Sequence, residues 1–474
     1  MARGKRTSAL HHGASPRAAR FDPWTLKRAT ASEAATTATD RRTRALAVNS
    51  EAPVLLGTDS VETEGAVNAL LLSPCASLLL ALSSEGTVQV FDIRNGLALV
   101  ATLWDEHDSN ARDDFHVGCF PCLDPDPAPV LPDVTCLAAR TLARDTSKTV
   151  DKNIHSHQRC PITLAVAGKR IDSSTTSDDL DDIDSILPCD IKIFDLTSGV
   201  VTSRLKGHSK DVLALVSLRY KGSPYYLSAG QDGSIFKWTM ATDWVKKTSR
   251  VRMQDPSNTI MAFSISLLSH TGNRYFLASC DNRISVFDFE QEQMLQTFAS
   301  DFSCYCDFIT SLPDPFHLPQ SPSSWSDLLE ATHIDIMDDN DSQPESGSTP
   351  IFSYLLSRGV EWLNANKANA VHLFKLTYPR NVGGLFKLDK IQSYSHPCYE
   401  ANSWPTRLTA TATTLFAPTN LGDVVIFDLP SGAVGAVLRD HEPETEVRDV
   451  LVHPDLPVIF TCGDDGGIKV YRSS

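Results

Sequence analysis

The chain has 474 residues, 42% of them hydrophobic and 21% charged, with a net charge of −15. That supports a sizeable core, and no apolar run approaches the roughly 18 residues a membrane-spanning helix needs, so no membrane partner is expected. Residues 1–44 hold ten Lys/Arg against Asp22, Glu33 and Asp40, an excess of seven positive charges, which leaves −22 on the rest.

Residues 1–44 are read as a disordered basic arm that touches nucleic acid or an import receptor, with a plain solvated tail as the alternative. The start, Met1-Ala-Arg-Gly-Lys-Arg, lacks an apolar stretch, so a secretory leader is not expected. Eleven cysteines, several in strand-like text (Cys75, Cys136, Cys280, Cys462), fit buried free thiols in a reducing compartment. The acidic remainder argues against direct nucleic-acid binding there, since phosphate neutralisation needs clustered Lys/Arg, and suits a basic partner such as a histone tail.

Further along, one short pattern returns seven times: an aliphatic residue, one spacer, another residue and an aromatic, often then Asp. The copies are Val88–Asp92, Ile191–Asp195, Ile235–Trp238, Ile284–Asp288, Val371–Phe374, Val424–Asp428 and Ile468–Tyr471. Trp238 follows Phe194 by 44 residues, Phe287 follows Trp238 by 49, Phe427 follows Phe374 by 53 and Tyr471 follows Phe427 by 44. Ahead of the first copy, Ala66 to Leu82 is broken by Asn68, Ser73, Pro74 and Ser77 into strand, turn and strand. Copies spaced about 40–45 residues apart resemble WD40 repeats, which implies an all-β WD40 β-propeller over residues 45–474.

Seven blades are expected, with eight as the alternative, because two gaps exceed the period. The segments near 171–189 and 313–350 are rich in Ser and Asp, the second also in Pro, and read as disordered insertions. Since the last copy ends three residues before the terminus, an N-terminal strand must cover its outer edge. Ala52–Leu56 or Ala45–Val48 are the candidates.

The third repeat carries Gly207-His208, Ser228, Asp232 and Trp238, which match a hydrogen-bonded His–Ser–Asp–Trp tetrad of such blades. The last repeat echoes it with His441, Thr461, Asp465 and Tyr471. Asp281 and Glu85 each stand six residues before an aromatic in the fourth and first repeats. A structural role is preferred to a catalytic dyad. His116, Cys119 and Cys122, with His155, His157 and Cys160 downstream, are zinc-ligand types, but the second pair is irregular and sits in the longest insertion. No metal, cofactor or catalytic residue is expected, and phosphate-loop, nucleophile-elbow and zinc-protease motifs are absent.

Three stretches resemble the Polycomb subunits called extra sex combs or embryonic ectoderm development. They are Trp104 to Cys119, Leu164–Gly168 with Ile191 and Lys206–His208, and Ser403–Arg407 with Leu421–Asp428. An alternative alignment makes Val134–Ala139 the inner strand of the second blade. That resemblance implies a nuclear, non-enzymatic, transcription-repressing scaffold that holds a histone methyltransferase and cups methyl-lysine in an aromatic cage. Its cage positions fall on Val67, His116, Trp404 and Pro405, of which Trp404 offers a strong π face and His116 a weaker one, with Tyr394 or Tyr399 as replacements for a lost wall. The alternative is a cytoplasmic or nuclear WD40 adaptor, as a ubiquitin-ligase substrate receptor or ribosome-assembly factor.

Overall fold

All seven aliphatic–aromatic segments are strands, each third from the channel in a four-stranded antiparallel sheet. The structure is a computed structural model that describes residues 55–63, 65–105, 111–122, 163–172, 187–254, 259–312, 351–363, 367–379, 383–403 and 405–473.

In chain order, β1 (Leu55–Glu62) precedes blade 1, made of β2 (Val67–Leu72), β3 (Leu78–Ser83), β4 (Val88–Asp92) and β5 (Ala98–Leu103). Blade 2 is β6 (Ala111–Cys119), β7 (Thr163–Asp172), β8 (Ile191–Asp195) and β9 (Val200–Leu205). Blade 3 is β10 (Val212–Tyr220), β11 (Ser223–Gly230), β12 (Ile235–Met240) and β13 (Lys247–Gln254). Blade 4 is β14 (Ala262–Leu267), β15 (Tyr275–Cys280), β16 (Arg283–Asp288) and β17 (Gln293–Ala299). Blade 5 is β18 (Tyr305–Ser311), β19 (Phe352–Val360), β20 (Val371–Thr377) and β21 (Lys387–Tyr394). Blade 6 is β22 (Thr409–Ala410), β23 (Thr414–Pro418), β24 (Val424–Asp428) and β25 (Val434–Leu438). Blade 7 is β26 (Val447–Val452), β27 (Val458–Gly463) and β28 (Gly467–Ser473), with β1 on its outer edge.

The sheets are sandwiched on both faces, which is why the middle strands read as unbroken apolar runs. Leu78 to Ser83 and Val458 to Gly463 are buried at every position. One apolar cluster fills each wedge between neighbouring blades. Phe115 and Phe194 of blade 2 meet Leu80 and Val90 of blade 1. The wedge that closes the circle joins Phe460 and Ile468 of blade 7 to Leu79 and Phe91 of blade 1. A buried Phe or Leu contributes about 1.5–3 kcal/mol, so this wedge favours the closed ring.

Backbone pairing completes the closure. Strand β1 runs antiparallel to β28 with Thr58 opposite Tyr471 and Glu62 opposite Gly467. Thr63 adds a bond from its backbone N–H to the Gly466 carbonyl at 2.9 Å. The covering strand therefore lies later than the sequence suggested: only Leu55 and Leu56 of the Ala52–Leu56 candidate belong to it, and 45–48 lie outside the described residues. An outer strand has one bonded edge, so polar Asp59, Ser60 and Glu62 are tolerated there and mask it in the sequence.

Blades 2 and 5 absorb the two long gaps, and the described residues form seven blades. The first insertion starts later than residue 171, because β7 extends to Asp172, while 173–186 and 313–350 lie outside the described residues. The inner strand of blade 2 is Ala111–Cys119, and 134–139 also lie outside. Cys280 and Cys462 are buried in strands, whereas Cys75 sits in the turn after Ser73-Pro74. Gly233 shows how tightly blades abut. Its φ is +70°, and a Cβ there would stand 2.2 Å from the Thr259 carbonyl of the next blade's entry loop.

Candidate functional site

In blade 3 the loop before β10 turns His208 inward. Its Nδ1 lies 3.1 Å from Asp232 Oδ1, and its Nε2 lies 2.7 Å from Ser228 Oγ. Trp238 Nε1–H donates to the same Ser228 oxygen at 2.8 Å. Asp232 also accepts from the backbone N–H of Ser209 at 2.8 Å and of Ser234 at 3.0 Å. Burial raises the Asp232 carboxyl, but the His208 hydrogen bond and these amides hold it below its ordinary value. Ser, His and Asp in sequence suggest a nucleophilic triad by residue type. Ser228, however, is 0% exposed and its oxygen already accepts the indole N–H, so no substrate reaches it.

Blade 7 repeats the geometry. His441 Nδ1 lies 3.0 Å from both Asp465 oxygens, and Nε2 lies 2.7 Å from Thr461 Oγ1. Burial opposes ionisation of Asp465, yet the His441 contact and the Gly467 and Glu442 amides bring its pKa to about 2. Tyr471 is buried at the position of Trp238. Asp281 keeps only the capping half, accepting from Met261 N–H at 3.0 Å. Glu85 stays at the surface, 3.9 Å from Arg112.

The inner strands surround a channel. Six of the seven carry a register shift, near the strand's start at Asn68, Leu213, Phe263, Cys306–Asp307 and Arg448, and midway along β6 at His116. Such bulges twist a strand and re-aim its side chains. In blade 6, Pro405 removes a donor and the ladder begins only at Thr409. Below the mouth is a cavity of about 190 Å³ lined by Leu70, Val117, Leu213, Phe263, Phe308 and Arg407, among others.

Arg407 spans the channel. Its guanidinium donates to the Asn68 carbonyl at 3.2 Å and to the His116 carbonyl, while its backbone N–H donates to the Arg448 carbonyl at 2.8 Å. Asp449 accepts from Leu70 N–H at 3.0 Å, and burial, opposed by Arg407, pushes its carboxyl to about 6. Arg448 grips Asp464 with two bonds of 2.7 Å. Arg358 lies 3.2 Å from Asp307 and donates to the Ala401 and Ser403 carbonyls at 3.0 and 2.6 Å, tying blade 5 to the segment entering blade 6.

Immediately ahead of their bulges stand Asp114, Asp211 and Glu446, with Tyr305 at the same end of β18. Phe263 and Tyr305 lie with ring centroids 5.2 Å apart, and Tyr305 meets Trp362 edge-on at 6.5 Å. On this face Trp362 is 54%, Leu363 78% and Ile260 72% exposed. Carboxylates thus occupy one arc of the rim and aromatics the next.

The residues expected to form a cage are separated differently. Trp404 lies outside the described residues, and Val67 is wholly buried. His116 is 12% exposed, 3.7 Å from Asp114; burial, with Arg407 and Arg448 nearby, lowers its pKa and keeps the ring neutral. Tyr394 and Tyr399 are not rim residues but core: Tyr394 is wholly buried and donates to the Leu429 carbonyl at 2.6 Å, and Tyr399 packs on Phe427. Cys119 and Cys122 pack beside the blade 2–3 cluster, and burial raises the Cys119 thiol. Among the described residues no three His, Cys, Asp or Glu converge as a metal set, and His155, His157 and Cys160 lie outside them.

The family described as WD domain, G-beta repeat matches residues 432–472, which span β25 to β28 and include the tetrad of blade 7. The fold is a β-propeller whose last blade is WD40-like. Nothing among the curated proteins matches the chain. WD40 propellers typically serve as interaction scaffolds, and no helix among the described residues is long and apolar enough to cross a membrane. Sequence reading missed Asp211, Phe263, Tyr305 and Trp362. Aligning the repeats on their Asp-containing turns is the signal that would have gathered the rim positions.

Proposed function

We propose that the protein is a nuclear, non-catalytic docking scaffold of a chromatin-modifying assembly, of the extra sex combs type, holding a histone methyltransferase and a basic histone tail. The observation that carries this reading is the rim of the WD40 ring, where Asp114, Asp211 and Glu446 adjoin Tyr305 and the exposed Trp362. Acidic and aromatic groups on a rigid ring suit a basic, extended polypeptide. Three further features support it: the short Polycomb-like stretches, the excess of seven positive charges in 1–44, and the −22 on the remainder. In both tetrads the side chains that have nucleophilic or acid–base chemistry are locked into the core, which favours scaffolding over catalysis.

Affinity purification of the tagged full chain from nuclear extract, followed by mass spectrometry, tests the assignment. A histone methyltransferase is the expected companion. Recovery of cullin adaptors or ribosome-assembly factors with no methyltransferase would replace this assignment with another WD40 adaptor role.

A further inference from the structure

Asp211 stands out among the rim carboxylates. It is 4% exposed, and among the described residues its Oδ1 has no hydrogen-bond partner and no ion pair includes it. Its rim neighbours are engaged. Asp114 accepts from Asn68 Nδ2 at 2.6 Å, and Glu446 is paired with Arg448. Burial raises the Asp211 carboxyl, Asp114 adds to that by repulsion, and the charges of Lys169 and Lys210 oppose it. A buried carboxylate with no donor is costly unless something supplies one. Backbone geometry fixes its place: the Asp211 carbonyl accepts from Gln231 N–H at 2.9 Å, so the residue is held at the entrance of β10, two positions before channel-lining Leu213.

On the next blades around the rim lie Phe263 and Tyr305, the first also lining the cavity of about 190 Å³. We propose that the channel mouth receives an unmodified lysine or arginine side chain of a partner polypeptide, its N–H groups pairing with Asp211 and its methylene stem lying against Phe263 and Tyr305. Ammonium and guanidinium groups provide both the charge and the donors that Asp211 lacks. A trimethylammonium provides charge without a donor, so it fits this acceptor less well. The aromatic arc suits the apolar stem of a long basic side chain. The inference uses only the docking part of the proposed function, and peptide binding succeeds or fails whether or not a methyltransferase is recovered.

The probes are fluorescein-labelled Gly/Ser dodecapeptides carrying three Lys, three trimethyl-Lys, three Arg or three Gln, titrated against the full chain by fluorescence anisotropy. Lys and Arg peptides are expected to bind, Gln peptides not, and trimethyl-Lys several-fold more weakly than Lys. D211N is expected to weaken the Lys peptide roughly tenfold or more, as loss of one partner of a desolvated charge pair does. D455N, in the exposed turn between β26 and β27 at the far end of an inner strand, serves as control and is expected to change binding less than twofold. Equal weakening by D211N and D455N, equal affinity for Lys and trimethyl-Lys, or no binding of either charged peptide overturns the proposal. Should D211N fail to fold, the Lys against trimethyl-Lys comparison on the unaltered protein decides.

Discussion

Arg407, on the sixth blade, donates a hydrogen bond to the backbone carbonyl of His116, on the second. The same guanidinium bonds Asn68 of blade 1, and the Arg407 backbone bonds Arg448 of blade 7, so one residue links four consecutive blades. Each of these carbonyls sits in a bulge, where the ordinary ladder leaves an acceptor over.

R407A is therefore expected to destabilise the fold by about 2–4 kcal/mol, because two carbonyls lose a donor and each unsatisfied buried group costs about 1–3 kcal/mol. R407K recovers only part of this, since an ammonium lacks the fork that reaches both carbonyls. Urea midpoints of the three proteins check it; an R407A protein as stable as the parent would show that the strut contributes nothing.

Ser228 Oγ serves two partners, His208 and Trp238, whereas Thr461 is bonded to His441. S228A leaves two buried groups without partners, with an expected loss of about 2–4 kcal/mol; T461V leaves one, with about 1–3 kcal/mol. Denaturation of both variants in parallel tests the order. A T461V loss equal to or larger than that of S228A contradicts the idea that the shared oxygen sets the difference.

Acid has opposite effects on two sets of carboxyls. Burial raises Asp211 to about 7 and Asp307 and Asp449 to about 6, from an ordinary 3.8, despite the opposing charges of Lys169, Arg358 and Arg407 respectively. The folded state binds these protons more tightly than the unfolded chain. The resulting stability is full below about pH 4 and is lost as pH rises through 6 and 7. Asp465, at about 2, and the lowered Asp232 act the other way, their stability being lost as pH falls below about 4. Thermal midpoints should be higher near pH 5 than at pH 8 and fall again toward pH 2. D211N should flatten the limb between pH 6 and 8 and be more stable than the parent at pH 8. An unchanged limb in D211N assigns it to other groups.

The seven third strands were legible because their aliphatic and aromatic positions are buried and recur at a fixed spacing within each strand. Phe194, Trp238 and Phe287 are all 0% exposed. Outer strands carry no such signal: Met294 and Leu295 of β17 are exposed beside Gln293, which erases any alternation. The acidic start of β6 looks like a loop until Lys192 is seen reaching both Asp113 and Asp105, the latter at 2.9 Å. Those partners lie 79 residues or more from the lysine in sequence, on a separate strand and loop. The tetrads were legible from their fixed spacing of 24 residues between His and Asp. The rim was not, because Asp211 is distinguished by what it does not touch, and only three-dimensional neighbours reveal that.

Closure by β1 makes a sharp demand on truncation. Deleting residues 1–60 removes the part of β1 that pairs with Val470 and Tyr471 and leaves Val61 and Glu62 alone opposite Ile468 and Gly467. The edge of β28 then carries unpaired N–H and C=O groups beside buried Tyr471, a template for pairing between molecules. Deleting 1–35 leaves β1 whole. The shorter deletion is expected to be soluble and monomeric, and the longer one to aggregate, with size-exclusion chromatography and sedimentation as the readouts. Equal solubility of the two proteins would mean that blade 7 holds with three strands, through its wedge with blade 1, where Phe460 packs on Leu79 and Phe91. In that event the F460A change, expected to cost about 3–5 kcal/mol as a core Phe-to-Ala change, should become far more damaging in the truncated protein than in the full chain.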